Sequence, residues 1–77
     1  MKIKLTTLDD ANKLATICGT FTEDIDIVVG RYVIDAKSYL GILSIGFSNE
    51  MDVIFHSNDV KMKEYFYKMI EQWKVDK

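Results

Sequence analysis

Proline is absent from this 77-residue chain, cysteine and histidine occur once each, and glycine only four times. Without proline, internal repeats or low-complexity stretches, nothing reads as a linker, and the length is that of a single domain over residues 1–77. A lone Cys18 cannot close an internal disulfide, and a cytoplasmic, reducing setting is expected. One Cys and one His supply too few nitrogen and sulfur ligands for the usual sites, so neither a metal nor a cofactor is expected. No apolar run approaches the ~18 residues of a membrane span. The opening MKIKLTTLDD has neither the apolar region nor the small-residue cleavage site of a signal peptide, so no membrane association is expected. Clustered positive charge is also missing. The ten basic residues are scattered, with a mild excess at Lys61, Lys63, Lys68, Lys74 and Lys77, and the net charge is −2, which argues against nucleic acid as a partner.

What is present is the composition of a folded domain, 48% hydrophobic and 29% charged. A domain this small buries only roughly 60–65% of its unfolded surface, so each core position counts. KIKLT alternates and reads as a strand. Leu8, Ala11, Leu14, Ala15 and Cys18 follow helical spacing, with Thr7 as candidate N-cap and Asp10 three residues on in capping-box fashion. Asp9 and Asp10 fall in the first turn, where the helix dipole favours carboxylates, and Gly19 is a natural stop. DIDIVV and YVIDA alternate on either side of Gly30-Arg31, a pair suited to a two-residue hairpin with glycine first; Tyr32, Ile34 and Ala36 are expected to share a face. MDVIFHS is a further strand with Met51, Val53 and Phe55 inward. Met62, Phe66, Met69, Ile70 and Trp73 then form the stripe of a long helix capped by Ser57 or Asn58, with Asp59 in its first turn. The expected strands are 2–6, 24–29, 32–36 and 51–56, and the expected helices 8–18, 38–44 and 58–74. This β-α-β-β-α-β-α order argues for an α+β fold in which one four-stranded antiparallel sheet carries three helices on one face.

The segment DAKSYLGILSIG, Asp35 to Gly46, is too short and apolar for an ordinary amphipathic helix. Ser38 is a candidate N-cap. One side of the short helix can pack on the sheet while the other stays outside, and at least one of Tyr39, Leu40 and Phe47 is expected to be exposed. The run Lys37, Ser38, Tyr39, Leu40, Gly41, Ile42, Leu43, Ser44, Ile45, Gly46 resembles HPr, the small phosphocarrier of the bacterial sugar phosphotransferase system. The HPr pattern there is Lys-Ser, an apolar pair, Gly, an apolar pair, Ser, apolar, Gly. FTEDIDI and MDVIFHS are similar to the second and fourth strands of that family, so the resemblance covers essentially the whole chain.

The resemblance implies an open-faced β-sandwich, and it also exposes a departure. HPr carries Gly-apolar-His-Ala-Arg-Pro where its first helix begins; the His accepts phosphate from enzyme I, and the Arg helps hold it. Here the strand enters the helix through TTLDDA. Thr7 stands at the His position and Asp9 at the Arg position, with several residues of the family's loop missing. Asp9 and Asp10 oppose the positive end of the helix and repel a phosphodianion, and a threonine ester lacks the transfer potential of a phosphoimidazole.

In Gram-positive HPr proteins the Ser equivalent to Ser38 is phosphorylated by a kinase/phosphorylase in carbon catabolite repression, so Ser38 is the candidate regulatory site; its plainer role is the cap itself. By the same resemblance Tyr39, Leu40, Leu43 and Phe47 are the candidate partner-docking residues. Thr7 and Asp9 are the degenerate active-site positions.

Other polar and reactive residues read as structural. His56 is expected on the surface, with no carboxylate placed beside it by sequence to make it a base. Cys18 is expected to be a buried thiol, Glu23, Asp24 and Asp26 a solvated charged turn, and Tyr65, Tyr67 and Trp73 packing residues. The expected function is that of a non-enzymatic, HPr-like protein-binding regulator without histidine phosphotransfer. Its expected partners are phosphotransferase-system or catabolite-control proteins, and it is expected to be a monomer or weak dimer. One alternative is a phosphocarrier with an unusual acceptor; the other is an interaction domain unrelated to sugar uptake.

Overall fold

Alternation sets the sheet. A computed structural model describes residues 1–46 and 49–75. In β4 (Glu50–Phe55), Met51, Val53 and Phe55 turn inward and are essentially fully buried, while Asp52 and Ile54 turn outward. β4 runs antiparallel between β1 (Lys2–Lys4) and β2 (Ile25–Val29), and β2 pairs in turn with β3 (Tyr32–Asp35), giving the order β1-β4-β2-β3. The register aligns Ile3 with Met51, Ile27 with Val53 and Ile27 with Ile34, so one face is apolar across all four strands. Gly30 takes φ +58° at the first position of the β2–β3 turn, as a two-residue hairpin requires.

The helices cover that face. α1 (Leu8–Gly19) contributes Ala11, Leu14, Ala15 and Cys18 to the core. α2 (Tyr39–Gly41) runs directly into one wider π-helical turn, Ile42–Gly46, which buries Ile42. α3 (Val60–Ile70) buries Phe66 and Ile70 and ends in a 3₁₀ turn, Glu71–Trp73, that buries Trp73. Phe55 stacks on Phe66 with centroids 4.9 Å apart, and Phe21 meets both rings edge-on at 5.3 Å. Each such pair is worth about 0.5–1.5 kcal/mol beyond its buried area. Among the described residues no polar side chain is buried.

The expected α+β architecture is the observed one, with corrections at its ends. The second helical segment is a single α-turn and a π-turn rather than one helix over 38–44, because Gly41 and the following apolar run give little support to a longer helix. The last helix starts at Val60, and Asp59 is its N-cap, not a first-turn residue: its Oδ1 accepts from the Met62 N–H at 3.1 Å. Ser57 instead accepts from the Asp59 N–H at 3.0 Å. The helix also tightens to 3₁₀ after Ile70 instead of running to 74. Leu8, placed on the α1 stripe, is 59% exposed, since it opens the helix a turn before Ala11, the first residue of α1 to reach the core. Tyr32 shares a face with Ile34 and Ala36, as expected, but is 60% exposed because β3 is the last strand of the sheet.

Candidate functional site

The start of α1 is occupied by its own side chains. Thr7 is extended (φ −131°, ψ 158°), and its Oγ1 accepts from the Asp10 N–H at 3.0 Å. The reciprocal half of the capping box is displaced by one residue, because the Asp10 carboxylate accepts from the Thr6 hydroxyl at 3.4 Å. The Trp73 indole N–H, more than any other group, holds the Asp10 carboxyl below its ordinary value, with Thr6 and Thr7 adding to the effect against the opposing effect of burial. Asp9 is exposed and pairs with Lys13 one turn on at 3.2 Å. This helix end therefore presents a committed hydroxyl and two carboxylates, a poor cradle for an anion.

Ser38 sits in a tight local network. Its N–H donates to the Asp35 carbonyl at 3.0 Å, and its Oγ accepts from the Gly41 N–H at 3.1 Å, making it the N-cap of α2. The neighbouring Lys37 N–H donates to Asp35 Oδ1 at 2.9 Å, and the Lys37 ammonium donates to the Phe21 carbonyl at 2.8 Å. Gly41 sits in a close approach: a Cβ there would lie 3.2 Å from Ser38 Oγ, and the capping side chain would have to give way to it. Ser38 itself is exposed.

The candidate docking residues divide. Tyr39 and Leu43 are half-buried and pack against the core, whereas Leu40 is 76% exposed, so the expected outward apolar side chain is there. Phe47 lies outside the described residues. α1 touches both α2 and the π-turn, which brings the helix carrying Thr7 and Asp9 against the segment carrying Ser38 and Leu40.

One pairing was not foreseen. His56 is exposed as expected, but its Nε2 lies 2.8 Å from Asp26 Oδ2, so a carboxylate does stand beside it. The carboxylate can only accept, which places a proton on that ring nitrogen and leaves Nδ1 for other partners. The cause is register: Asp26 pairs with Ile54 on the outer face, and His56 follows on the same face two residues later, within diagonal reach. That both residues stand out of phase with their strands' buried positions was the available signal. His56, Ser57, Asn58, Lys63 and Glu23 line part of an open depression of about 510 Å³. It lies at the far end of β4 from Glu50, which pairs with Lys4 on the strand leading to α1. The length of β4 puts it on the order of 20 Å from the α1 start.

Cys18 is buried, and desolvation pushes its thiol up to about 12, with Lys37 pulling the other way and Asp35 adding to the rise. Such a thiol is inert at neutral pH. No group of three or more potential metal ligands occurs among the described residues, and no helix of theirs is long and apolar enough to cross a membrane.

No family model matches the sequence, and no curated protein matches it. Solved structures do match in fold. HPr from Thermoanaerobacter tengcongensis is 24% identical, with 94% of this chain and 88% of that chain covered and a TM-score of 0.73. A histidine-containing phosphocarrier protein from Mycoplasma is 20% identical, with 94% and 92% covered and a TM-score of 0.68. The catabolite repression protein Crh of Bacillus subtilis, described as a domain-swapped intertwined dimer, is 20% identical, with 99% and 90% covered and a TM-score of 0.68. The chain thus has the HPr-like fold over nearly its whole length.

Proposed function

We propose that this chain, as one HPr-like domain over residues 1–77, is a protein-binding regulator in a bacterial cytoplasm that does not carry phosphate on histidine. The observation that carries the reading is the start of α1. Thr7 is engaged as a cap there, and Asp9 and Asp10 set negative charge where a phosphoryl group would have to sit. Ser38 is the candidate regulatory site, supported by its exposure and by the resemblance of the KSYLGIL segment to the Ser-phosphorylated segment of Gram-positive HPr. Leu40, exposed beside it, is the candidate contact for a phosphotransferase-system or catabolite-control partner. Phosphate at Ser38 would add about two negative charges beside Leu40 and so alter which partners dock.

A second reading is favoured by one observation. His56, oriented by Asp26 at 2.8 Å beside an open depression, is the kind of imidazole that an unusual phosphocarrier would need. Glu23, which lines the same depression, weighs against it, and Lys63 is the one cation on that lining among the described residues.

One experiment separates the readings. The protein and its Ser38→Ala variant are incubated with HPr kinase and ATP and, separately, with enzyme I and labelled phosphoenolpyruvate. The regulatory reading expects kinase label on the parent alone and no label from enzyme I. Acid-labile label at His56 that passes to a sugar-specific partner would establish the second reading. No label in either arm would leave an interaction domain unrelated to sugar uptake.

A further inference from the structure

The two outer strands of the sheet are treated differently. Beside β1, the chain after α3 forms a short bridge: Lys74 lies opposite Ile3, and the Val75 N–H donates to the Lys2 carbonyl at 3.0 Å. β3 has no such cover among the described residues, and Tyr32 and Val33 on it are 60% and 62% exposed. The hydrogen-bond phase is fixed by the Ala36 N–H donating to the Ile25 carbonyl at 2.9 Å. Alternation then directs the backbone of Ile34 and Tyr32 toward β2, and that of Val33 and Asp35 toward the free edge, where the Asp35 carbonyl already accepts from the Ser38 N–H and Val33 carries the unpaired groups. An edge of this kind is usually blunted by shortness, charged side chains, proline or a bulge; β3 is short and ends in Asp35. Within Tyr32–Asp35 there is neither lysine nor proline.

The sequence along this edge is self-complementary. If two copies pair antiparallel with Val33 on the two-fold axis, Val33 faces Val33 of the other copy and Tyr32 faces Ile34. Arg31, in the turn just before the strand, comes beside Asp35 of the other copy, and the reciprocal pair repeats the match. Because Val33 directs its backbone outward, this register satisfies the hydrogen-bond phase, whereas an axis between Val33 and Ile34 would not. An axis on Ile34 also satisfies it but sets Val33 against Asp35 and Arg31 against Lys37, so the side chains select Val33. On the outer face the register already aligns Lys2, Asp52, Val28 and Val33 across the four strands. Joining two copies makes a central row of four valines flanked by charged residues. On the helix face the exposed Tyr32 ring would cover the half-buried Ile34 of its mate.

We infer that the free edge of β3 is a homodimerisation edge, pairing with the same edge of a second copy centred on Val33. The strand is short, so the dimer is weak and concentration-dependent, and it exchanges no segment between copies. This surface is distinct from the α1 start and meets the Ser38 network only at Asp35, whose carbonyl and Oδ1 accept from the Ser38 and Lys37 N–H groups.

The test is sedimentation velocity over a concentration series reaching about 1 mM, the range a small interface occupies. The parent is expected to shift from monomer to dimer. Val33→Lys places like charges face to face on the axis and is expected to remain monomeric; Val33 is exposed, so the fold is retained, as circular dichroism checks. Arg31→Glu alone and Asp35→Arg alone each create two like-charge pairs and are expected to dimerise about tenfold more weakly. Mixed together, these two variants restore both opposite-charge pairs, and a heterodimer of near-parental affinity is expected. A parent that stays monomeric throughout overturns the inference. So does a dimer that survives Val33→Lys, as an exchanged-strand dimer would. If Asp35→Arg does not fold, Val33→Lys and Arg31→Glu decide alone.

Discussion

Replacing Ser38 by Ala removes one identifiable bond, that from the Gly41 N–H to Ser38 Oγ at 3.1 Å. The amide left behind is near the surface and falls back on water, so the cost is that of an N-cap, about 1 kcal/mol. For a domain of this size that corresponds to about 4–8 °C in Tm. Ser38→Asp keeps an acceptor in reach of the same amide and is expected within a few tenths of a kcal/mol of the parent, as the near-equality of Asp and Ser at N-caps implies. Thermal unfolding is best followed by the fluorescence of the single Trp73, which is only 7% exposed and reports loss of the core. Ser38→Ala within about 1 °C of the parent, or Ser38→Asp as destabilised as Ala, would refute the capping argument. Ser38 would then have no structural task to explain it, and modification would be the stronger account of the residue.

Two further outcomes concern titrating groups. The Cys18 thiol is raised from 9.0 to about 12, chiefly by burial, so the folded state keeps its proton where the unfolded chain releases it. Its contribution to stability is full below pH 9 and is lost as pH climbs toward 12. Unfolding free energies across that window should fall more steeply for the parent than for Cys18→Ala, and parallel curves would remove the linkage. The Asp10 carboxyl is lowered from 3.8, first by the Trp73 indole, so its contribution is present above that value and declines as pH falls below it. In Trp73→Phe the Asp10 titration, followed by carboxyl-carbon NMR, should move up; an unchanged midpoint would show that Thr6 and Thr7 suffice.

The strands and the core stripes were legible because their periods are local. Ile25, Ile27 and Phe55 alternate cleanly, and Ala11, Leu14 and Cys18 repeat at helical spacing. The Thr7 and Ser38 caps were legible for the same reason, since a cap speaks to an amide three residues away. The cap of the last helix was not: the pattern points to Ser57 or Asn58, with Asp59 in the first turn, and only the geometry of the chain leaving β4 makes Asp59 the cap. His56 beside Asp26 and Trp73 beside Asp10 join residues 30 and 63 positions apart, and they depend on strand register and on where the last helix ends. No local pattern encodes either. The exposure of Leu40 followed from arithmetic, as a short helix has one covered side; that Tyr39 and Leu43 were the covered ones required the packing.

The bridge of Lys74 and Val75 onto β1 has a consequence for how large an assembly can become. A sheet with one available edge can only terminate in a pair, because pairing uses up that edge. A sheet with two can add units at both sides without end, which is the geometry of a fibre. The bridge therefore acts as a stopper on growth, and a chain cut after Trp73 would gain a second growing end while losing little of its core.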